Sequence, residues 1–167
     1  MNKEFFKKRA EYLQSYKGKV GLVGVYRFTI ENEDGSKEEK WYHNIIPTVC
    51  LELIANHFTD ASPANQMLIT HAALGDDDTP VSITDTTLGN EVYRNAIASK
   101  TSSNGIIYAT AFFSQTEVTG SFKECGIFAD GTSSPNTGVL ISHVNIDVNK
   151  SNVQKLTIDY TIELLNI

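Results

Sequence analysis

Residues 156–165 read LTIDYTIELL, and this stretch decides the fold class. Apolar side chains at every second position, from Leu156 to Leu164, alternate with the polar side chains of Thr157, Asp159 and Glu163. A period of two is typical of a β-strand with one face in a core and the other toward solvent. The stretch therefore predicts a half-buried sheet.

Other segments repeat this pattern along most of the chain. In residues 20–30, VGLVGVYRFTI, the side chains of Tyr26, Phe28 and Ile30 share one face, and Asp34-Gly35 then predicts a hairpin turn. Five more strand-like runs follow in residues 67–75, 92–101, 105–114, 122–129 and 138–148. Evenly spaced strands with few helices between them predict a mainly-β fold, an antiparallel β-sandwich of the jelly-roll or immunoglobulin-like type.

Two segments have helical rather than strand periodicity. Residues 3–16 predict a helix that ends at Gly18, so we divide the chain into a helical arm, residues 1–18, and a sandwich domain, residues 19–167. A helix this short is marginal alone in water, so it packs on its own domain or on a neighbouring chain. The interface candidates in the arm are Phe5, Phe6, Tyr12, Leu13 and Tyr16.

The second helical segment is residues 47–58, PTVCLELIANHF. It predicts a short internal helix with Thr48 as the N-cap. Its predicted apolar face consists of Leu51, Ile54, Ala55 and Phe58.

Composition argues against several classes of protein. A formal net charge of −6 argues against a nucleic-acid partner, which would require a basic surface. No apolar stretch is long enough for a signal peptide or a membrane span, so we expect synthesis in a cytoplasm and no membrane partner. Two cysteines are too few for a disulfide scaffold, and they are interpreted as packed thiols.

No standard catalytic motif is present, so we expect a non-enzymatic protein with no catalytic residues and no cofactor. There is no nucleophile elbow and no phosphate-binding loop, and the four histidines lack metal-ligand spacing. The nearest approach to a metal site is a calcium candidate, Asp76 with Asp78, in the acidic loop GDDDTPVSITDTTLGNE. Pro80 and Val81 then break the calcium-loop pattern, so a solvated loop is favoured over a metal site or a metal-dependent hydrolase.

The order of several short motifs points to a family. They are HNII at residues 43–46, ALG at 73–75, TPVSITDTTLGNEVYR at 79–94 and FKECGIFAD at 122–130, before the final strand. In this order, over about residues 20–165, the chain resembles a family of tailed-bacteriophage virion structural proteins, described as tail-fibre-like or virion-associated. GDDD and KECGIF depart from the family pattern, and the helical arm is not part of it.

The resemblance implies a structural function in a virion. The expected partners are other virion proteins of the tail, baseplate, fibre or capsid, with a homo-oligomer assembled in the host cytoplasm and located in the particle. The alternatives are a capsid decoration (head auxiliary) protein and a receptor- or glycan-binding module that uses the loops at residues 76–90 and 130–138.

The motifs also have expected structural roles. Leu74 and Leu88 would anchor the two ends of the acidic loop, and Arg94 would pair with Asp85 or Glu91. The small residues before Ile127 and Phe128 suit a tight strand crossing, with these two side chains in the core or at a subunit interface.

Overall fold

A computed structural model of the chain describes residues 21–59 and 66–165. The predicted arm, residues 1–18, and its five interface candidates, Phe5, Phe6, Tyr12, Leu13 and Tyr16, therefore lie outside the described residues. The elements are β1 (Gly21–Glu31), β2 (Lys37–His43), α1 (Thr48–Phe58), β3 (Ile69–Gly75), β4 (Glu91–Ser103), β5 (Ile106–Phe113), β6 (Gly120–Ala129), β7 (Val139–Lys150) and β8 (Lys155–Leu165).

All eight strands belong to one antiparallel sheet in the order β2-β1-β8-β5-β4-β3-β6-β7, which nearly closes into a barrel. The predicted mainly-β, antiparallel fold with one short internal helix is confirmed. The predicted sandwich of two separate facing sheets is not confirmed, because β4 connects the two halves of a single sheet. Residues 91–96 of β4 pair with β3, and the rest pairs with β5 after a register shift between Ile97 and Ser99. Such a bulge lets one strand pass from one half of a sheet to the other.

The two edge strands, β2 and β7, meet at a seam without a continuous ladder. The Tyr42 hydroxyl accepts a hydrogen bond from the Asp147 N–H (3.0 Å) and donates one to the Asp147 carbonyl (3.1 Å). Just beyond β2, Ile45 forms an isolated antiparallel bridge with His143. A side chain and one bridge thus cover edge groups that would otherwise be open to pairing with another chain.

The core lies inside the barrel, as the alternation in β8 predicts. Leu156, Ile158, Tyr160 and Ile162 are all buried, whereas Leu164, at the end of the strand, is exposed. Tyr160 packs on Tyr26 of β1 with 4.6 Å between ring centroids. Burial of such aromatic side chains removes large apolar areas from water and dominates the stability of the core.

Helix α1 is where it was predicted, but it buries a different face. Cys50 and Leu53 are buried, while Leu51 is 52% and Phe58 is 87% exposed. The helix packs mainly on β7, so the buried stripe is rotated by one residue from the predicted one. The run VCLELIANHF contains apolar residues on both the predicted and the observed stripe. The contact with β7 determines which of the two stripes is buried. Pro47, not Thr48, is the N-cap residue, with no side-chain capping bond.

The two ends of the barrel differ. At the end covered by α1, an apolar cavity of about 360 Å³ is lined by side chains such as Leu22, Ile107 and Ile162. At the opposite end, the buried ammonium group of Lys150 donates hydrogen bonds to the carbonyls of Gln115, Glu117 and Val118. Burial lowers the pKa of Lys150, and the carbonyl oxygens replace the water that this group loses.

Candidate functional site

The acidic loop, residues 76–90, joins β3 to β4 and lies against β7 and α1. The Val81 N–H donates to the side chain of Asn145 (2.9 Å), whose amide group donates to the Thr79 carbonyl (2.9 Å). The first helical N–H of α1, from Thr48, donates to the Ile83 carbonyl (2.7 Å). The loop is therefore bound along its length and is not a freely solvated connection.

A histidine between two carboxylates holds the centre of this loop. His143 of β7 contacts Asp85 through Nδ1 and Glu124 of β6 through Nε2, and both distances are 2.8 Å. The side chains of His143 and Glu124 are buried, and that of Asp85 is one-quarter exposed. The loop, β6 and β7 thus meet at one ring.

The hydrogen bonds at this ring require an extra proton. Asp85 Oδ2 already accepts the Ser82 N–H (2.7 Å), and Glu124 Oε2 accepts the Gly89 N–H (2.9 Å). A neutral imidazole has one N–H and can donate to only one of the two carboxylates. Both contacts form together when the ring is an imidazolium or when one carboxyl group is protonated.

The Glu124 carboxylate stays ionised despite its burial. Burial alone would raise the pKa of Glu124, but hydrogen bonds from His143 and from the N–H groups of Asn90 and Gly89 together lower it below its usual value. These two backbone groups are 2.8 and 2.9 Å from the carboxylate. Glu124 therefore fixes the end of the acidic loop, the LGNE segment, to β6.

This arrangement holds three segments of the chain together, because both ring nitrogens of His143 contact carboxylates from other segments. A polar cavity of about 380 Å³ lies beside the ring, lined by hydroxyl and carboxylate side chains that include Asp77, Thr84 and Thr86.

No sequence spacing indicated this ring. Asp85, Glu124 and His143 lie in three separate segments, and the sequence analysis noted only that the four histidines lack metal-ligand spacing. No local pattern marks Glu124 or His143, because FKECGIFA also contains Lys123 and GVLISHVNIDV also contains Asn145 and Asp147. A polar or charged residue is buried only with a partner, which the sequence alone does not identify.

Arg94 pairs with Glu91, one of its two predicted partners. Its Nη2 lies 2.7 Å from Glu91 Oε2, and both side chains are almost fully buried. Its Nη1 donates to the carbonyls of Thr132 and Thr137 (3.0 Å each), so it also holds the loop at residues 130–138. The other predicted partner, Asp85, contacts His143 instead.

Two of the three consecutive aspartates, Asp76 and Asp77, accept hydrogen bonds from within the loop. Asp77 accepts hydrogen bonds from the N–H and hydroxyl of Thr79, which lower the pKa of Asp77, and Asp76 accepts one from the Asn90 amide (2.6 Å). Within the described ranges, no group of three or more His, Cys, Asp or Glu side chains is arranged to hold a metal ion. The calcium candidate, Asp76 with Asp78, stays a prediction.

Motifs that are distant in sequence pack against each other. Leu88 of LGNE, Ala73 of ALG and Phe128 of CGIF form one buried cluster with Leu140. A Cβ atom on Gly126 would lie 2.8 Å from Leu140 Cδ1 and 2.9 Å from Leu88 Cδ2, so glycine permits this close approach. The Arg94 guanidinium lies 4.6 Å from the centroid of the Phe128 ring.

Comparisons with known proteins give no relative. No protein-family model matches the chain, and no curated protein and no solved structure gives a significant match. Among the described residues, no helix has both the length and the apolar character needed to cross a membrane.

Proposed function

We propose that this protein is a non-enzymatic structural component of a tailed-bacteriophage virion. It acts through protein–protein contacts as a homo-oligomer, attached to tail, baseplate, fibre or capsid proteins. The proposal begins from the ordered motifs of the sequence, because their family resemblance concerns virion structural proteins.

The observation that carries the proposal is the convergence of these motifs. ALG, LGNEVYR (which includes Arg94) and CGIF come from three separate segments, and they meet in one buried cluster with one buried ion pair. A set of motifs that pack on each other is expected of a structural signature, whereas a catalytic signature would leave polar groups facing a cleft. The polar side chains of these motifs form internal hydrogen bonds, which supports a scaffold function.

Analysis of particles tests the proposal. Virions produced from the genome that carries this gene are purified by density gradient, and their proteins are quantified by mass spectrometry relative to the major capsid protein. We expect the chain at a fixed stoichiometry that survives high-salt washing, and light scattering of the purified protein should give a single oligomeric mass. A monomeric protein that is absent from the particles would contradict the proposal.

The location within the particle separates the virion alternatives. Gold-labelled antibodies against the purified protein, viewed by electron microscopy, would mark the head surface if the chain is a capsid decoration protein. Labelling at the tail, fibres or baseplate would support the tail-associated function.

A glycan- or receptor-binding module is the second candidate, and the polar cavity beside His143 favours it. Hydroxyl groups from Thr84 and Thr86 with the Asp77 carboxylate could hydrogen-bond sugar hydroxyls. A glycan array with and without calcium tests this function, with a Thr84→Val, Thr86→Val double variant as the matched control. An array without signal in either condition would remove the candidate.

A further inference from the structure

The two contacts of the His143 ring are coupled to the binding of a proton. Nδ1 lies 2.8 Å from Asp85 Oδ2, and Nε2 lies 2.8 Å from Glu124 Oε2. With a neutral imidazole and two ionised carboxylates, one of these contacts would place a nitrogen lone pair against a carboxylate oxygen. The state with both contacts, which we call the closed state, therefore holds one proton more than the state with one contact. By linkage, opening becomes more favourable as the pH rises.

The charged groups around this ring are acidic. The acidic loop contributes Asp85 and also Asp77, which lines the same polar cavity as the ring, and β6 contributes Glu124. Ile45, whose backbone bridges to His143 from the segment after β2, is uncharged. Among the described residues, neither Asp85 nor Glu124 forms an ion pair with a lysine or an arginine. The extra proton of the closed state therefore compensates the two carboxylates.

The two carboxylates differ in what they have besides the histidine. Glu124 is buried, and it also accepts hydrogen bonds from the N–H groups of Gly89 and Asn90. Asp85 is one-quarter exposed, so water can replace the histidine as its partner. An ionised group that loses its partner is costly where it is buried and inexpensive where water reaches it. A neutral ring therefore keeps its N–H on Glu124 and releases Asp85.

Asp85 connects the His143 ring to the middle of the acidic loop and to α1. Its Oδ2 accepts the Ser82 N–H (2.7 Å), and its own N–H donates to the Ser82 carbonyl (3.0 Å). Within this turn, the Ile83 carbonyl accepts the Thr48 N–H of α1 (2.7 Å). Movement of Asp85 away from β7 therefore disturbs the turn at residues 82–85 and the contact between the loop and the first residue of the helix.

We propose that His143, with Asp85 and Glu124, is a pH-dependent switch that holds residues 82–87 of the acidic loop on β7 in the closed state and releases them as the pH rises. On one side of this segment, Asn145 keeps its hydrogen bonds to the backbone of residues 79 and 81. On the other side, Leu88 stays buried in its apolar cluster. The opening is local and leaves the sheet intact. This inference does not depend on the proposed virion function.

Hydrogen exchange of the full chain, measured by NMR from pH 6 to pH 9, tests the switch. Protection factors, which remove the intrinsic pH dependence of exchange, should fall by about tenfold or more for the N–H groups of Ser82 and Thr48. Opening that releases one proton becomes up to about tenfold more favourable per pH unit. Amides at the centre of β8 should keep their protection. His57→Gln, which removes an exposed histidine of α1, is the matched control and should show the same fall. Constant protection of Ser82 and Thr48 would overturn the proposal.

An Asp85→Asn variant tests whether the extra proton is the cause. An amide at position 85 can donate a hydrogen bond to Nδ1 of a neutral ring, whose Nε2–H then donates to Glu124, so the closed state no longer requires the extra proton. Protection of the Thr48 N–H should then change by less than about twofold between pH 6 and pH 9. A fall equal to that of the natural protein would assign the pH dependence to another group and overturn the proposal.

Nitrogen chemical shifts of the His143 ring keep the test decisive if this variant does not fold. In the natural protein, both ring nitrogens should change their shifts over the same pH range in which the protection of Ser82 falls. Ring shifts that stay constant while that protection falls would overturn the proposal.

Discussion

At the scale of single residues, buried charges determine how the acidic loop is held. Glu124 holds the loop directly, because it contacts His143 and accepts hydrogen bonds from two backbone N–H groups of the loop. Removing one partner of a buried charged pair leaves the other without compensation and is costly. An exposed ion pair such as Lys123–Asp147 is screened by water and contributes little.

Glu124→Ala should therefore lower the free energy of unfolding by about 3–5 kcal/mol, because His143 and the two N–H groups lose their acceptor. Asp147→Ala, which removes only the exposed pair, should cost no more than about 1 kcal/mol. Urea unfolding followed by circular dichroism measures both values. Equal losses in the two variants would mean that the ring at His143 does not hold the loop.

The lowered pKa of Glu124 predicts a dependence of stability on pH. A carboxyl group whose pKa is lower in the folded than in the unfolded state stabilises the fold above its unfolded pKa of about 4.3. That contribution is lost as the pH falls through the folded pKa. Between about pH 5 and pH 3, Glu124→Gln should lose less stability than the natural protein. Glu33→Gln, in the exposed β1–β2 turn, is the control and should keep the natural protein's slope of unfolding free energy against pH. Identical slopes in all three proteins would show that Glu124 does not cause the pH dependence.

The sequence predicted the apolar residues that anchor the acidic loop, but it did not predict the buried polar residues around His143. Leu74 and Leu88 were predicted as loop anchors, and both are buried. Their signal was local, because each is an apolar residue beside a polar loop. The ring at His143 depends on contacts between three segments whose proximity exists only after the sheet has formed, so no local spacing could indicate it.

At the scale of elements, tight connections position the strands. The β6–β7 loop, residues 130–138, returns through Gly138, whose φ is +85°. A Cβ atom there would lie 2.4 Å from the Ala129 carbonyl oxygen and 2.6 Å from the backbone of Gly131. Both obstacles are backbone atoms, which do not move aside as the end of a side chain does.

Gly138→Ala should thus destabilise the protein by about 2–4 kcal/mol through a strained φ and a backbone clash. Gly21→Ala is the matched control, since a Cβ atom at Gly21 has no neighbour within 4 Å and its cost should stay below about 1 kcal/mol. Thermal unfolding of both variants measures the difference. If the two melting temperatures agree, the strain at Gly138 has been relieved elsewhere.

Element boundaries were more predictable than element faces. The alternation in residues 156–165 is so regular that strand and inner face both followed from it. In α1, apolar residues occupy two adjacent stripes, and the contact with β7 selects the stripe that contains Cys50 and Leu53. Helical periodicity defines the helix, but a choice between neighbouring faces depends on a partner that is not encoded locally.

At the scale of the whole molecule, closure of the barrel depends on a few groups at the β2–β7 seam. Tyr42 of β2 forms two of the hydrogen bonds that join the edge strands β2 and β7. The sandwich prediction did not anticipate this closure, because alternation in each strand is the same whether strands form two sheets or one that curves through β4.

Tyr42→Phe should remove both bonds, at a cost of about 1–2 kcal/mol, and should speed hydrogen exchange of the Asp147 amide. The ring stays apolar and keeps its contact with Phe28, so the core is not expected to change. Tyr108→Phe, on β5 and distant from the seam, provides the control. Unchanged exchange at Asp147 would show that other contacts close the barrel.

The position of β8 has a consequence for how the chain acquires this structure. β8 comes after all the other described strands in sequence, yet it pairs with both β1 and β5. While the ribosome is still making the chain, β1 and β5 each present an unpaired edge until β8 has emerged. The nascent protein therefore completes the hydrogen bonding of β1 and β5 only after β8 has been made, and many copies translated together would be open to mispairing until that moment.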